Sequence, residues 1–264
     1  MTSRDVVTDV ENADKSPVEA QSKTEMLWSE FKFFAKLGVF ILAFITLVWG
    51  HFKIPSESMQ PTLEVGDHLY VSKYAYGYSK HSLPYLLHKL PLPEGRFLSH
   101  LPDRGDVVVF RNPNTGIIMI KRVVGLPGDR LQVRRGQLYL NGQLVPRERI
   151  DGRLYREHAT QRVRSVNVYS QALPGMEGSF VMYERDDSHP LDNTPVFIVP
   201  DDNLFFMGDN RDNSVDSRDP RNGPGMIPMN YVIGRADRVM FSFKRCNRDE
   251  DLHCPAKGRW MEKL

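Results

Sequence analysis

Gly105-Asp106-Val107-Val108-Val109-Phe110 decides the fold class. A Gly-Asp turn runs into three β-branched residues and a phenylalanine, the punctuation of a buried strand. Ile117-Ile118-Met119-Ile120-Lys121-Arg122-Val123-Val124 reads as its partner, joined to it through Asn112-Pro113-Asn114-Thr115-Gly116. The same turn recurs at Gly66-Asp67, before His68-Leu69-Tyr70-Val71, and at Gly128-Asp129, before Leu131-Gln132-Val133. Residues 138–145 form a hairpin about Asn141-Gly142, a pair suited to the positive φ angles of a tight turn. Further strand candidates lie at 162–168, 179–184 and 196–199. Residues 72–103 hold Pro84, Pro91, Pro93 and Pro102 and read as an irregular excursion. With no solenoid repeat and no long amphipathic helix, the part beyond residue 53 is mainly β.

The chain has 264 residues, enough for a sizeable core in one or two domains. Its 35 Lys+Arg against 33 Asp+Glu leave a net charge of +2, so bulk charge gives no support to nucleic-acid binding. Cys246 and Cys254 are the only cysteines, too few for a disulfide scaffold and wrongly spaced for zinc.

Residues 1–26 are polar and of mixed charge, and read as a disordered tail. Residues 33–52 are strongly apolar apart from Lys36. As a helix they span ~30 Å, the thickness of a bilayer core. Trp28 and Trp49 bracket the run as interfacial aromatics do. No small-residue cleavage site follows, since the next residues are Trp49-Gly50-His51-Phe52-Lys53. A buried core helix would be amphipathic. A retained transmembrane anchor is therefore expected, with a cytoplasmic tail at 1–32. Lys23, Lys32 and Lys36 put the N-terminus on the cytoplasmic side.

Three stretches carry chemistry. Ile54-Pro55-Ser56-Glu57-Ser58-Met59-Gln60-Pro61-Thr62 offers two hydroxyls at i and i+2, on one side of an extended chain. A polar loop after an anchor is the plainer alternative. Lys121 lies in a strand apolar on both faces. If buried there, it loses proton affinity and can serve as a general base toward a hydroxyl; an amine snorkelling to water is the alternative. Gly208-Asp209-Asn210-Arg211-Asp212-Asn213-Ser214-Val215-Asp216-Ser217-Arg218-Asp219 is acidic enough to suggest calcium. Counted from Asp212, however, the sixth position is Ser217 where an EF-hand needs glycine. A solvated acidic loop is the other reading.

Taken in order, Ser56-x-Ser58-Met59-x-Pro61-Thr62, then Lys121-Arg122-Val123-Val124-Gly125-Leu126-Pro127-Gly128-Asp129, then the 208–218 block resemble bacterial type I signal peptidase over roughly residues 50–240. The resemblance implies a coiled antiparallel β-sheet catalytic core (53–130 and 201–264) with an inserted β-rich subdomain (131–200), following the expected transmembrane helix (33–52). It implies that Ser58 is the nucleophile and Lys121 its general base. The Ser56 hydroxyl, with the Ser58 N–H, would complete an oxyanion hole, and Ser214 would orient Lys121. Arg122, Asp209, Asp216 and Arg218 would be supports tying the final loop to the lysine strand. Ile54, Pro55, Met59, Leu63 and Ile120 match positions lining shallow pockets for small residues at −3 and −1. No cofactor or metal is implied. The implied partners are preproteins with Ala-x-Ala-like signal peptides, membrane lipid and the secretion translocon. The implied location is the bacterial inner membrane, single-pass, with the catalytic domain periplasmic. The chain differs from the best-known members in having one membrane segment, Glu57 where glycine is frequent, and cysteines near the C-terminus. There Cys246 and Cys254 are expected to pair, two free thiols being the alternative.

Two rival readings stand beside this one. A self-cleaving repressor of the SOS type shares a Ser–Lys dyad, but it needs an N-terminal DNA-binding domain that residues 1–32 are too short to supply. A non-catalytic anchored β domain binding envelope proteins would leave Ser58 and Lys121 dispensable. Neither G-x-S-x-G nor H-E-x-x-H occurs, so α/β-hydrolase and zincin chemistry lapse.

Overall fold

The computed structural model describes residues 23–83, 87–243, 252–253 and 259–264. Cys246 and Cys254 lie outside the described residues, as do residues 1–22 of the expected tail. Packing divides the chain into two compact units, 1–42 and 43–264.

Valine-rich runs set between Gly-Asp turns build an eight-stranded antiparallel sheet. Its order is Trp49–Lys53, Asp67–Ser72, Val232–Ser242, Val107–Arg111, Ile118–Gly125, Asn203–Met207 and Ile227–Pro228, with Glu262–Lys263 added beside Val232–Ser242. Val107–Arg111 and Ile118–Gly125 pair as the hairpin read from the sequence, with Val108 opposite Lys121. Val107 and Val109 enter one core cluster with Leu69, Val71 and Ile233. Val108 and Phe110 enter another with Val123, Phe206 and Val232. This strand is therefore covered on both faces, which is why it reads as a continuous apolar run. Register shifts in Val232–Ser242 mark bulges, and bulges bend and twist the sheet so that it curls.

Two smaller sheets follow the lysine strand. One contains Phe197–Ile198, Arg130–Arg134, Gln137–Leu140 and Gln143–Leu144; the other contains Arg147–Arg156, Val163–Gln171 and Phe180–Glu184. At the tip of the first, Asn141 and Gly142 both take positive φ, 52° and 83°, as the Asn-Gly pair requires. The 72–103 excursion holds short 3-10 turns and a two-residue strand pair, Tyr78–Ser79 with Arg96–Phe97.

The helix departs from expectation. It runs Lys23–Leu47, so it takes in part of the supposed tail and ends before residue 52. Trp49–Lys53 is instead an edge strand in register with Asp67–Ser72. Hydropathy runs on past the helix end, but polar groups of the β core capture the last turn. Lys73 Nζ donates to the Ile45 carbonyl (3.0 Å) and Tyr78 Oη to the Leu47 carbonyl (2.7 Å). These carbonyls have no partner within the helix, so the two donors fix where it stops. Among the described residues no helix is long and apolar enough to cross a membrane. Glu25, Glu30, Lys32 and Lys36 fall within this one, although Phe33, Phe34, Val39 and Phe40 on it are exposed.

Phe110 is fully buried and stacks on Phe206 with ring centroids 4.4 Å apart. Phe110→Ala should lower stability by about 3–5 kcal/mol, the range for emptying an aromatic core position. Chemical denaturation of the purified full-length protein measures this; a loss under about 1 kcal/mol would show that the hairpin is not core.

Candidate active site

The loop 54–63 leaves the edge strand and turns under the sheet. Its expected extended form gives way to a turn, closed by Gln60 N–H donating to the Glu57 carbonyl (3.0 Å) and Leu63 N–H to the Met59 carbonyl (2.9 Å). Ser56 and Ser58 still present their hydroxyls together, with the oxygens 3.4 Å apart. Ser58 is buried and Ser56 exposed. Met59 and Leu63 are fully buried in the core beneath. Ile54 is also in that cluster, whereas Pro55 is exposed and Ile120 half-buried. Of the five expected pocket residues, a ligand could therefore touch mainly Pro55 and Ile120.

Lys121 is brought to the same place from 63 positions away, and its Nζ donates to Ser58 Oγ at 2.5 Å and to the Ile120 carbonyl at 3.0 Å. The lysine is only 4 % exposed. Burial pushes its amine down to about 8, against the opposing pull of Asp216 and Asp209. The dominant cause of the depression is loss of water. Arg122 is occupied by Asp209: Nε donates to Oδ1 (2.8 Å) and Nη2 to Oδ2 (2.6 Å). A third guanidinium bond runs from Nη1 to the Gly105 carbonyl (2.6 Å), and the Phe180 ring covers the group at 4.2 Å.

The 208–218 loop closes the site. Asn210 N–H donates to the Ser58 carbonyl (3.1 Å) and Asn210 Nδ2 to the Glu57 carbonyl (3.2 Å). A Cβ at residue 208 would collide with the Ser58 carbonyl and the Ser214 hydroxyl, so only glycine lets the two segments meet so closely. Arg218 grips Asp216 through Nε and Nη2, each at 2.9 Å, and Gly208 N–H also donates to Asp216 (3.0 Å). Burial alone would push the Asp216 carboxyl up, but Arg218 and these donors hold it below the usual carboxylate range. This pair closes the loop on itself; the link to the lysine strand is Arg122–Asp209. Ser214 is buried against Gly208 and Asp216, and the bonds of Lys121 Nζ go to Ser58 and Ile120.

Two residues that the sequence left without contacts hold the loop. Glu57 is buried, accepting from His158 N–H (2.8 Å) and Asn213 Nδ2 (3.4 Å). Thr62 Oγ1 donates to Asp209 at 2.5 Å. The arrangement is a hydroxyl beside an amine that sheds its proton near neutral pH, with a second hydroxyl at the mouth. Such a pair can attack a carbonyl.

Comparison with known proteins agrees. Residues 27–241 match the family model described as signal peptidase, peptidase S26. Signal peptidase I of Rickettsia conorii is 34% identical over 245 residues, covering 90% of this chain and 86% of the relative. That of Rickettsia canadensis is 35% identical over 230 residues, covering 84% and 83%. A crystal structure of a signal peptidase I from Enterococcus faecalis covers 52% of this chain and 97% of its own at 25% identity; its TM-score of 0.30 is too low to bear on the fold. The chain belongs to the peptidase S26 signal peptidase family. That membership favours an enzyme over a non-catalytic envelope-binding domain or a repressor.

The depressed Lys121 has a stability signature. Its folded value is about 8 and its unfolded value is the ordinary 10.5, so between them the unfolded chain binds the extra proton. Stability from this group should rise with pH across that window and level off above it. Denaturant unfolding at several pH values, for wild type and Lys121→Met, measures this. Identical slopes in the two proteins would mean that the lysine has an ordinary pKa in the fold.

Proposed function

We propose that this member of the signal peptidase family is a serine endopeptidase that removes N-terminal signal peptides from secreted preproteins, cutting after small residues at −3 and −1. The observation that carries the reading is the buried Lys121 amine 2.5 Å from the Ser58 hydroxyl. Neutral Lys121 takes the proton of Ser58 Oγ as that oxygen attacks the scissile carbonyl. The Ser56 hydroxyl and the Ser58 N–H donate to the developing oxyanion. The lysine ammonium then protonates the departing amine, leaving the signal peptide acylated on Ser58, and a water activated by the same amine hydrolyses the ester. Ser214 acts by packing, keeping Asp216 and Gly208 in place behind the dyad. Arg122, Asp209, Asp216 and Arg218 hold the loop that presses on Ser58.

Residues 131–200 act as an inserted subdomain, a reading supported by two sheets whose strands all fall between residues 130 and 198. Membrane attachment is supported by the exposed apolar side chains of the Lys23–Leu47 helix and by the preprotein substrates the family name implies. The N-terminus then lies in the cytoplasm and the β part outside the bacterial inner membrane, in lipid near the translocon that delivers substrates. Protease added to intact spheroplasts should digest the β part and spare an N-terminal epitope; the reverse pattern would invert this orientation.

The deciding experiment is cleavage of a labelled Ala-x-Ala preprotein by the purified full-length protein. Ser58→Ala and Lys121→Ala should each abolish turnover, and the double variant should be no worse, because the two act as one unit. Ser56→Ala should lower kcat by about 10²–10³ with KM little changed. Wild-type kcat/KM should rise through about pH 8, where Lys121 loses its proton. Near wild-type turnover by Ser58→Ala would end the reading.

A further inference from the structure

A second constellation stands behind the final loop. One ring nitrogen of His189 and one carboxylate oxygen each of Asp192 and Asp212 lie within 4.8 Å of one another. Asp192 is completely buried, and the Asp212 side chain is 1% exposed. One oxygen of each is already used: Asp192 Oδ2 accepts from His189 N–H and Asp212 Oδ2 from Arg185 N–H, both at 2.7 Å. The other oxygens, Asp192 Oδ1 and Asp212 Oδ1, are buried with no hydrogen-bond partner among the described residues. His189 Nδ1 accepts from Leu191 N–H only at 3.4 Å, a weak bond that a cation on the same lone pair would replace. It faces Asp212 Oδ1 across 3.8 Å, too far for a hydrogen bond.

Two buried carboxylate oxygens and a part-exposed imidazole nitrogen thus converge. Unpaired buried charge is unfavourable by several kcal/mol per ion. Arg218 lines the same cavity and attracts both carboxylates through space, but its Nε and Nη2 are bonded to Asp216 and to the Arg211 carbonyl. A cavity of about 480 Å³, bordered by His189, Asn213, Ser214 and Asn222, gives a way in from solvent.

We propose that His189, Asp192 and Asp212 form a site for a divalent first-row cation, tying the 189–192 turn to the loop that carries Ser214. One imidazole nitrogen with two carboxylate oxygens suits ions such as Mn²⁺ or Zn²⁺. Calcium is disfavoured, because it takes six to eight oxygen ligands. The cation satisfies both orphan oxygens at once and cross-links the 189–192 turn to the 208–218 loop. It does not touch Ser58 or Lys121, so the site stands or falls independently of the dyad.

Mn²⁺ is the probe of choice, since Cys246 and Cys254 are poor ligands for it and good ones for Zn²⁺. Calorimetric titration of metal-stripped full-length protein should give one Mn²⁺ per chain, with Ca²⁺ weaker. Asp192→Asn and His189→Ala should each weaken Mn²⁺ binding by about tenfold or more. Saturating Mn²⁺ should raise the melting temperature of wild type and raise that of both variants less. His189→Ala alters a part-exposed side chain, so it tests the site even if Asp192→Asn unfolds the chain. No saturable binding to wild type, or binding equally tight to His189→Ala, would overturn the proposal.

Discussion

Everything around Ser58 depends on one ion pair, Arg122 with Asp209. Both partners are buried, with side chains 6% and 1% exposed. Charges placed so deep are tolerated only when paired and fully hydrogen-bonded, and here nearly every donor and acceptor is used. Arg122 is the residue after Lys121, and Asp209 opens the final loop. Thr62, from the serine loop, donates to the same carboxylate. Three segments far apart in sequence are thereby drawn to one point. Removing either charge would strand the other, a loss of about 3–5 kcal/mol, and would release the loop that excludes water from Lys121. Dryness pushes the amine toward its neutral form, and this pair holds the loop that covers it.

The strands with clean punctuation were legible in the sequence. Val107–Arg111 and Ile118–Gly125 are apolar on both faces because clusters cover both, and Asn141-Gly142 encodes its own turn. Val232–Ser242, the longest strand, was not legible. Gly234, Arg235, Asp237 and Arg238 interrupt its apolar period, and bulges shift which residues face inward. Its charges are satisfied by one another and by a neighbour, with Arg235 donating to Asp237 (2.7 Å) and Ser72 to the same carboxylate. The helix end was misplaced for a related reason. Hydropathy registers Trp49 and Phe52 as apolar, but it has no view of the strand they pair with or of the donors on Lys73 and Tyr78.

At the site, residue chemistry brought out Ser58, Lys121 and the acidic loop, while their mutual distances depended on the resemblance. Glu57 looked like an odd choice between two serines; its partners, His158 and Asn213, are about 100 and 156 positions away, beyond any local pattern. The cluster at Asp212 escaped for the same reason. Asp212 failed a test of linear spacing because the atoms facing it belong to residues 189 and 192. Sequence periodicity detects ligand sets built on one loop, and is blind to sets assembled from two.

The captured helix end also fixes a length. From Leu47, held by Tyr78, the chain enters the five-residue strand Trp49–Lys53, which is paired along its whole length. A paired strand of that size advances about 17 Å and has no slack. Ile54 is then locked in turn, its N–H bonded to the Asp67 carbonyl (2.9 Å). The Ser58 hydroxyl therefore stands at a set height above the last helical turn, carried on a strut where a flexible tether would let it swing. The strut works as a gauge, holding the distance between the helix end and Ser58 constant.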